Sequence, residues 1–198
     1  MAEVYTQFSE FECKQIGLKL DAKDTYLWDC IGEVSVTKDL VKVVKKCRGV
    51  VAKSRTREAG TGTIKVKAHW PIALLYALQG MNVSGLKTGV YASGNGCIHP
   101  EGCMTLLLED EDGNLKYKAF PRVTLASEVE DAVTNGEEEV AEQELEFTYM
   151  KDDDGYGCYE ALAAQVDETT AGAWMKTFST SLVKPSGDTA ENPTEEGG

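Results

Sequence analysis

Residues 64–69 read Ile64-Lys65-Val66-Lys67-Ala68-His69, and residues 144–149 read Glu144-Leu145-Glu146-Phe147-Thr148-Tyr149. In both, apolar and polar side chains alternate with a period of two. That is the pattern of antiparallel strands with one face in a core and the other in water. The alternation recurs where Ile16, Leu18 and Leu20 interleave with Gln15, Gly17 and Lys19, and where Trp28, Cys30, Val34 and Val36 oppose Asp29, Glu33 and Ser35. A hairpin is signalled over residues 105–120, where two apolar-rich runs flank Asp110-Glu111-Asp112-Gly113-Asn114 and Gly113 is free to take positive φ. The chain is therefore expected to be mainly β.

Helical signals are few. Pro71 suits a first helical position and Gly80 a stop, and between them Ile72, Ala73, Leu74, Leu75, Tyr76 and Leu78 are apolar on nearly every face. Such a helix is expected to be buried against a sheet or a neighbouring subunit. A second, weaker helix is expected within residues 169–178, where Trp174 and Phe178 lie one turn apart. Residues 48–62 read as a cation-rich loop with Gly49, Gly60 and Gly62; Val50 and Val51 extend strand character into it, which makes it a long hairpin arm. Residues 83–102 are Gly-rich and irregular, and residues 129–139 form an acidic connector turning at Asn135-Gly136. The chain of 198 residues fits one domain over residues 1–183, followed by a polar, acidic tail at 184–198 expected to be disordered.

Charge is divided along the chain. Residues 38–67 hold ten Lys/Arg against two acids, a net of +8, whereas residues 128–168 hold fifteen acids against Lys151, a net of −14. The whole chain carries −13, which argues against tight, sequence-independent binding of nucleic acid. A cationic and an anionic patch on one chain favour head-to-tail self-association into rings or filaments. The cations expected to make the contact are Lys45, Lys46, Arg48, Lys53, Arg55 and Arg57. The same arm can be read as a solvated hairpin or as a grip for phosphate, but it lacks aromatic residues for base stacking. No apolar run spans a membrane, and residues 1–12 carry no apolar core of a secretory signal. The six scattered cysteines (13, 30, 47, 97, 103 and 158) are expected to be reduced thiols.

No motif for chemistry emerges. Cys97, His99 and Cys103 suggest half a zinc site, but the Cys-x5-Cys spacing and the lack of a second ligand pair favour unlinked thiols. The stretches at 110–113 and 152–155 lack the full ligand spacing of a calcium loop and read as tight turns. Gly60-Thr61-Gly62 and Gly94-Asn95-Gly96 lack the ending of a phosphate loop, and no nucleophile is paired with either histidine. The expectation is a non-enzyme with no catalytic residue, no bound metal and no cofactor.

The order of certain segments resembles that of the major tail proteins (tail tube proteins) of phages with long non-contractile tails. The segments are residues 45–53, Gly60-Thr61-Gly62, the strand at 63–69, Pro71 with a short helix ending at Gly80-Met81, His99-Pro100-Glu101, residues 110–113, Ala119-Phe120-Pro121-Arg122, residues 138–142 leading into 145–150, residues 157–162, and Trp174. The resemblance covers most of residues 3–183. It implies two packed antiparallel sheets as a β-sandwich or open barrel, with one flanking α-helix and a long loop arm at about residues 47–62. It implies homohexameric rings stacked into a tail tube, with the arm reaching a neighbouring ring. Implied partners are further copies, the tape measure protein, the tail terminator and distal tail proteins, and phage DNA in transit without specific binding. The implied location is the virion tail, assembled in the host bacterial cytoplasm. Glu144 and Glu146, opposite an apolar strand face, are the expected lumen-facing acids. Standing alternatives are an inner-tube or secretion-type ring protein of the same fold, a nucleic-acid-binding protein using the basic loop, and a hydrolase with an unrecognised site.

Overall fold

A computed structural model describes residues 7–20, 25–48, 50–127, 129 and 142–185. The acidic connector beyond residue 129 and the tail beyond residue 185 therefore lie outside the described residues. The elements are β1 (Glu12–Leu20), β2 (Tyr26–Trp28), β3 (Ile31–Cys47), β4 (Val50–Ala68), α1 (Ile72–Leu78), β5 (Glu101–Glu109), β6 (Leu115–Leu125), β7 (Gln143–Met150), β8 (Tyr159–Leu162) and α2 (Glu168–Thr177). The protein is mainly β. Every strand pair is antiparallel, in the order β2-β1-β5-β6-β7-β4-β3, with β8 added beside β6. One continuous sheet supplies both layers of the expected fold. It curls so that Val34 and Val36 of β3 pack into the same core as Ile16 and Leu18 of β1, the open-barrel form.

The opening alternation is what builds that core. Ile64 lies opposite Phe147 and Val66 opposite Leu145, and all four are fully buried. Directly opposed residues of an antiparallel pair share a face. The intervening pairs, Lys65 with Glu146 and Lys67 with Glu144, therefore point together into solvent. The apparently single run from Trp28 to Val36 is two strands, because Asp29 and Cys30 interrupt pairing. Trp28 is buried with β1, whereas Cys30 is exposed.

The β5–β6 hairpin forms at the expected place. Asp110 accepts hydrogen bonds from the backbone N–H of Asp112 and Asn114 and from Asn114 Nδ2, and Gly113 sits at φ 82°. Burial opposes charge on Asp110, but these bonds prevail and hold its carboxyl below the usual aspartate range.

Helix α1 runs as expected except at its first residue. Pro71, at φ −60° and ψ 125°, is the extended residue before the helix, not its first turn. Leu74, Ala77 and Leu78 seal the core, so the helix is buried against the sheet on one side, while Ile72 on the other remains 60% exposed. Gly80 ends it at φ 65°, where a Cβ would lie 2.3 Å from the Ile98 carbonyl oxygen. Helix α2 is capped by Asp167, which accepts from the Thr170 backbone N–H at 2.9 Å. Trp174, Met175 and Phe178 pack on Ala119, Tyr117 and Leu107, covering the outer face of the sheet at β5 and β6. No helix among the described residues is long and apolar enough to cross a membrane.

Truncating Phe147 to Ala empties the centre of this core. The expected loss is about 3–5 kcal/mol of unfolding free energy in urea titrations. Val43→Ala, on the exposed part of β3, is expected to change it by no more than about 0.5 kcal/mol.

Candidate assembly surfaces

Strands β3 and β4 continue well past the core as a two-stranded ribbon. Pairing runs from Ile31 with Ala68 out to Cys47 with Val50, so residues 48–62 are strand nearly to the tip rather than loop. From Asp39 to Arg48 the ribbon projects roughly 30 Å, at about 3.3 Å per residue. Arg48 takes φ 51° in the two-residue link Arg48-Gly49, the left-handed geometry that suits a tight hairpin. At the base, Ala59, Gly60 and Thr61 bulge opposite Asp39. The Thr61 hydroxyl donates to Asp39 Oδ2 at 2.7 Å, and Gly60 takes φ 77°. A bulge of this kind re-aims a strand without breaking it.

The structure brings all six predicted cations onto this arm. The cross-strand pairs Val41–Arg57, Val43–Arg55 and Lys45–Lys53 share one face, which thus carries four cations and no acid. Lys46 lies on the other face with Val51, and Arg48 is at the tip. All six are exposed, and among the described residues none has an acid within ion-pair reach. Sequence reasoning missed the apolar half of the surface: Leu40, Val41, Val43, Val44 and Val51 are 38–66% exposed on the same arm. The signal was present as valines between the lysines at 41–44, but it reads equally well as a buried strand until the pairing is known.

Among the described acids, Glu33, Glu142 and Glu144 lie toward the other pole, whereas Asp152–Asp154 and Glu160 lie near the base of the arm. Strand β4 runs from the arm into the body and ends at Ala68, opposite Gln143, where β7 begins. The acidic connector joins Leu125 of β6 to Gln143, so both its ends leave the barrel at the pole away from the arm. Glu144 and Glu146 point outward from β7 as expected, but not as a bare anionic strip. Lys65 Nζ lies 3.9 Å from Glu144 and 3.2 Å from Glu146, and Lys67 lies 3.7 Å from Glu142. Counting Glu33, this solvent face of β3, β4 and β7 holds four acids against two lysines.

A third cluster joins elements distant in sequence. Lys118, nearly buried, pairs with Glu10; Lys116 pairs with Glu10 at 3.1 Å and Glu160 at 2.6 Å; and Glu160 also lies 3.6 Å from Lys38. Glu10, Lys38, Lys118 and Glu160 rim a cavity of about 400 Å³ between β1 and β3, where the barrel is open. For Glu10 and Glu160, burial opposes ionisation, but the lysine hydrogen bonds and charges prevail and hold both carboxyls below 4.5. Cys13 and Cys158 line the same cavity, and burial pushes both thiols up to about 12, so they stay protonated and are poor nucleophiles.

The chemical constellations separate. Cys97 Sγ donates to the Ala92 carbonyl, His99 Nδ1 lies 3.1 Å from the Leu125 carbonyl oxygen, and Cys103 packs toward α2. Among the described residues no cluster of three or more His, Cys, Asp or Glu has the arrangement to hold a metal. Asp152 is a turn residue: it accepts from the backbone N–H of Asp154 and Tyr156 and from the Tyr159 hydroxyl at 2.7 Å.

No protein-family model matches the chain, and no curated protein matches it. Similar solved structures include a chain of the anti-feeding prophage cap, the tube-terminating cap, at 8% identity and TM-score 0.43, covering 81% of this chain and 96% of that one. Another is a chain of the anti-feeding prophage baseplate, 6-fold symmetrised, at 8% identity and TM-score 0.40, covering 84% of this chain and 100% of that one.

The carboxyl shifts set an acid dependence. A carboxyl whose folded value is depressed adds stability that is complete above the unfolded value, near 4.5, and is lost as pH falls through the lower folded value. Urea titrations between pH 7 and 3 are expected to show wild-type stability falling below about pH 4.5. Glu160→Gln should be less stable at pH 7 and lose less on acidification. Parallel curves would show that the network is not the source.

Proposed function

We propose that this protein is a non-enzymatic structural subunit of a phage tail tube, forming hexameric rings that stack head to tail around a conduit for DNA. The observation that carries the reading is the arm. A two-stranded ribbon exposing valines and unpaired cations is marginal alone, and burial against another chain stabilises it. Glu33, Glu142 and Glu144 of the same chain lie at the opposite pole, so a second copy in the same orientation is the economical partner.

Ring formation draws support from the sheet edges. In the strand order β2 and β3 are terminal, so each leaves one edge without a strand partner among the described residues. Edge pairing between copies removes that hazard by closure. Among the described residues no helix covers the solvent face of β3, β4 and β7, and this is the face we assign to the lumen. Its four acids against two lysines leave an acidic excess, which suits a wall that DNA passes without adhering. On this reading the tape measure protein, tail terminator and distal tail proteins are partners, and the protein resides in the virion tail. An inner-tube or secretion-type ring would use the same contacts and add a sheath. A second reading, a phosphate-gripping arm, is favoured only by the unpaired cations and disfavoured by the absence of aromatics on the arm.

Changing Lys53, Arg55 and Arg57 together to Gln separates these readings. Light scattering is expected to show assembly setting in at about tenfold higher concentration, while the melting temperature stays nearly unchanged, because exposed charges contribute little to folding. In mobility-shift titrations the wild type should bind DNA weakly. Steeply salt-dependent DNA affinity, abolished in the triple variant, with assembly unaffected, would replace the tube reading with the phosphate-grip reading.

A further inference from the structure

We infer that the outer side of α1 and the segment packed on it, residues 81–98, form the receiving surface for the arm of a second copy. This rests on the stacked-tube reading and specifies where the arm of one subunit lands on the next.

Most of the large exposed apolar side chains fall into two groups. One is on the arm. The other comprises Ile72, Val83, Leu86, Val90, Tyr91 and Ile98, which are 40–81% exposed. The groups occupy opposite poles. Helix α1 follows directly from the body end of β4, and residues 81–98 lead into β5 at Glu101, which pairs with Thr124 near the end of β6. Each group is exposed among the described residues, and a head-to-tail contact covers both at once.

The surface is also held in shape before binding. The Tyr91 ring stacks on Tyr76 of α1 with centroids 4.1 Å apart. The Ala92 N–H donates to the Met81 carbonyl, Cys97 Sγ donates to the Ala92 carbonyl, and the His99 ring is tied to Leu125. These ties order an irregular segment that buries little of its own apolar surface, and a preordered surface loses less entropy on docking.

Charge identifies the occupant. Within residues 81–98 Lys87 is the one charged side chain, so the centre is apolar. The neighbouring end of the face assigned to the lumen has an acidic excess, with Glu33, Glu142 and Glu144 around Lys67 at the end of β4. An apolar centre beside that acidic excess fits an apolar ribbon edged by Lys45, Lys53, Arg55 and Arg57.

The test compares opposite charges at one exposed site. Ile98→Lys and Ile98→Glu should both fold with wild-type melting, since the side chain is 81% exposed. Assembly is followed by sedimentation and negative-stain microscopy. If the cationic arm docks here, Ile98→Lys raises the concentration for assembly about tenfold and Ile98→Glu changes it much less. Adding Arg55→Glu to Ile98→Lys should then restore assembly. Equal weakening by Lys and Glu without rescue would show that the arm is not the occupant. Normal tubes from both variants would overturn the docking surface while leaving the stacked tube standing. Failure of the wild type to assemble at all would overturn the tube reading and this inference with it.

Discussion

Strand β4 is the constraint on which the rest of the structure depends. Its body end is pinned on both sides, to β7 through Ile64–Phe147 and Val66–Leu145 and to β3 through Val36–Ile64 and Val34–Val66. Inward side chains from these pairs fill the core, so a slip of one residue would expose Ile64 and Val66 and bury Lys65 and Lys67. That penalty fixes the register. Because the same strand runs on without a break in the chain, it also fixes where the arm starts and the direction in which the basic face points. The bulge at Asp39 opposite Gly60 resets the direction at the base of the arm, and the Thr61–Asp39 hydrogen bond holds it.

A polar molecule in the geometric sense follows from that anchoring. One pole carries a ribbon whose cations lack partners; the other carries α1, residues 81–98 and both ends of the acidic connector. The body between is closed in two ways. Helix α1 plugs the barrel from one end with Leu74, Ala77 and Leu78, and α2 covers the outer face with Trp174, Met175 and Phe178. On the solvent face of β3, β4 and β7, Lys65 and Lys67 pair with Glu142, Glu144 and Glu146. Exposed pairs of this kind contribute little to stability. Their effect is to lower the field that a bare row of glutamates would have produced.

Local signals in the sequence are legible because they obey local physics. The alternation at 64–69 and 144–149, the Asp110–Asn114 turn, the Gly80 stop and the Trp174–Phe178 spacing each depend on neighbours a few residues away. What was not legible depends on contacts across the chain. The apolar valines of the arm look like core until β3 is seen to outrun the body. Lys65 could not be paired with Glu146 until the register was known. The Glu10–Lys118–Lys116–Glu160 network joins the first described residues to β6 and β8, and no periodicity announces it. The break at Asp29 and Cys30 was hidden because the alternation happens to keep phase across it.

The central claim is that copies of this chain associate head to tail, arm to opposite pole. Negative-stain microscopy of the pure protein over a concentration series, paired with sedimentation velocity, tests it most directly. The account predicts rings and hollow stacked tubes that grow with concentration and shorten as salt screens the contact. A single species with the mass of one chain at every concentration and salt would contradict it.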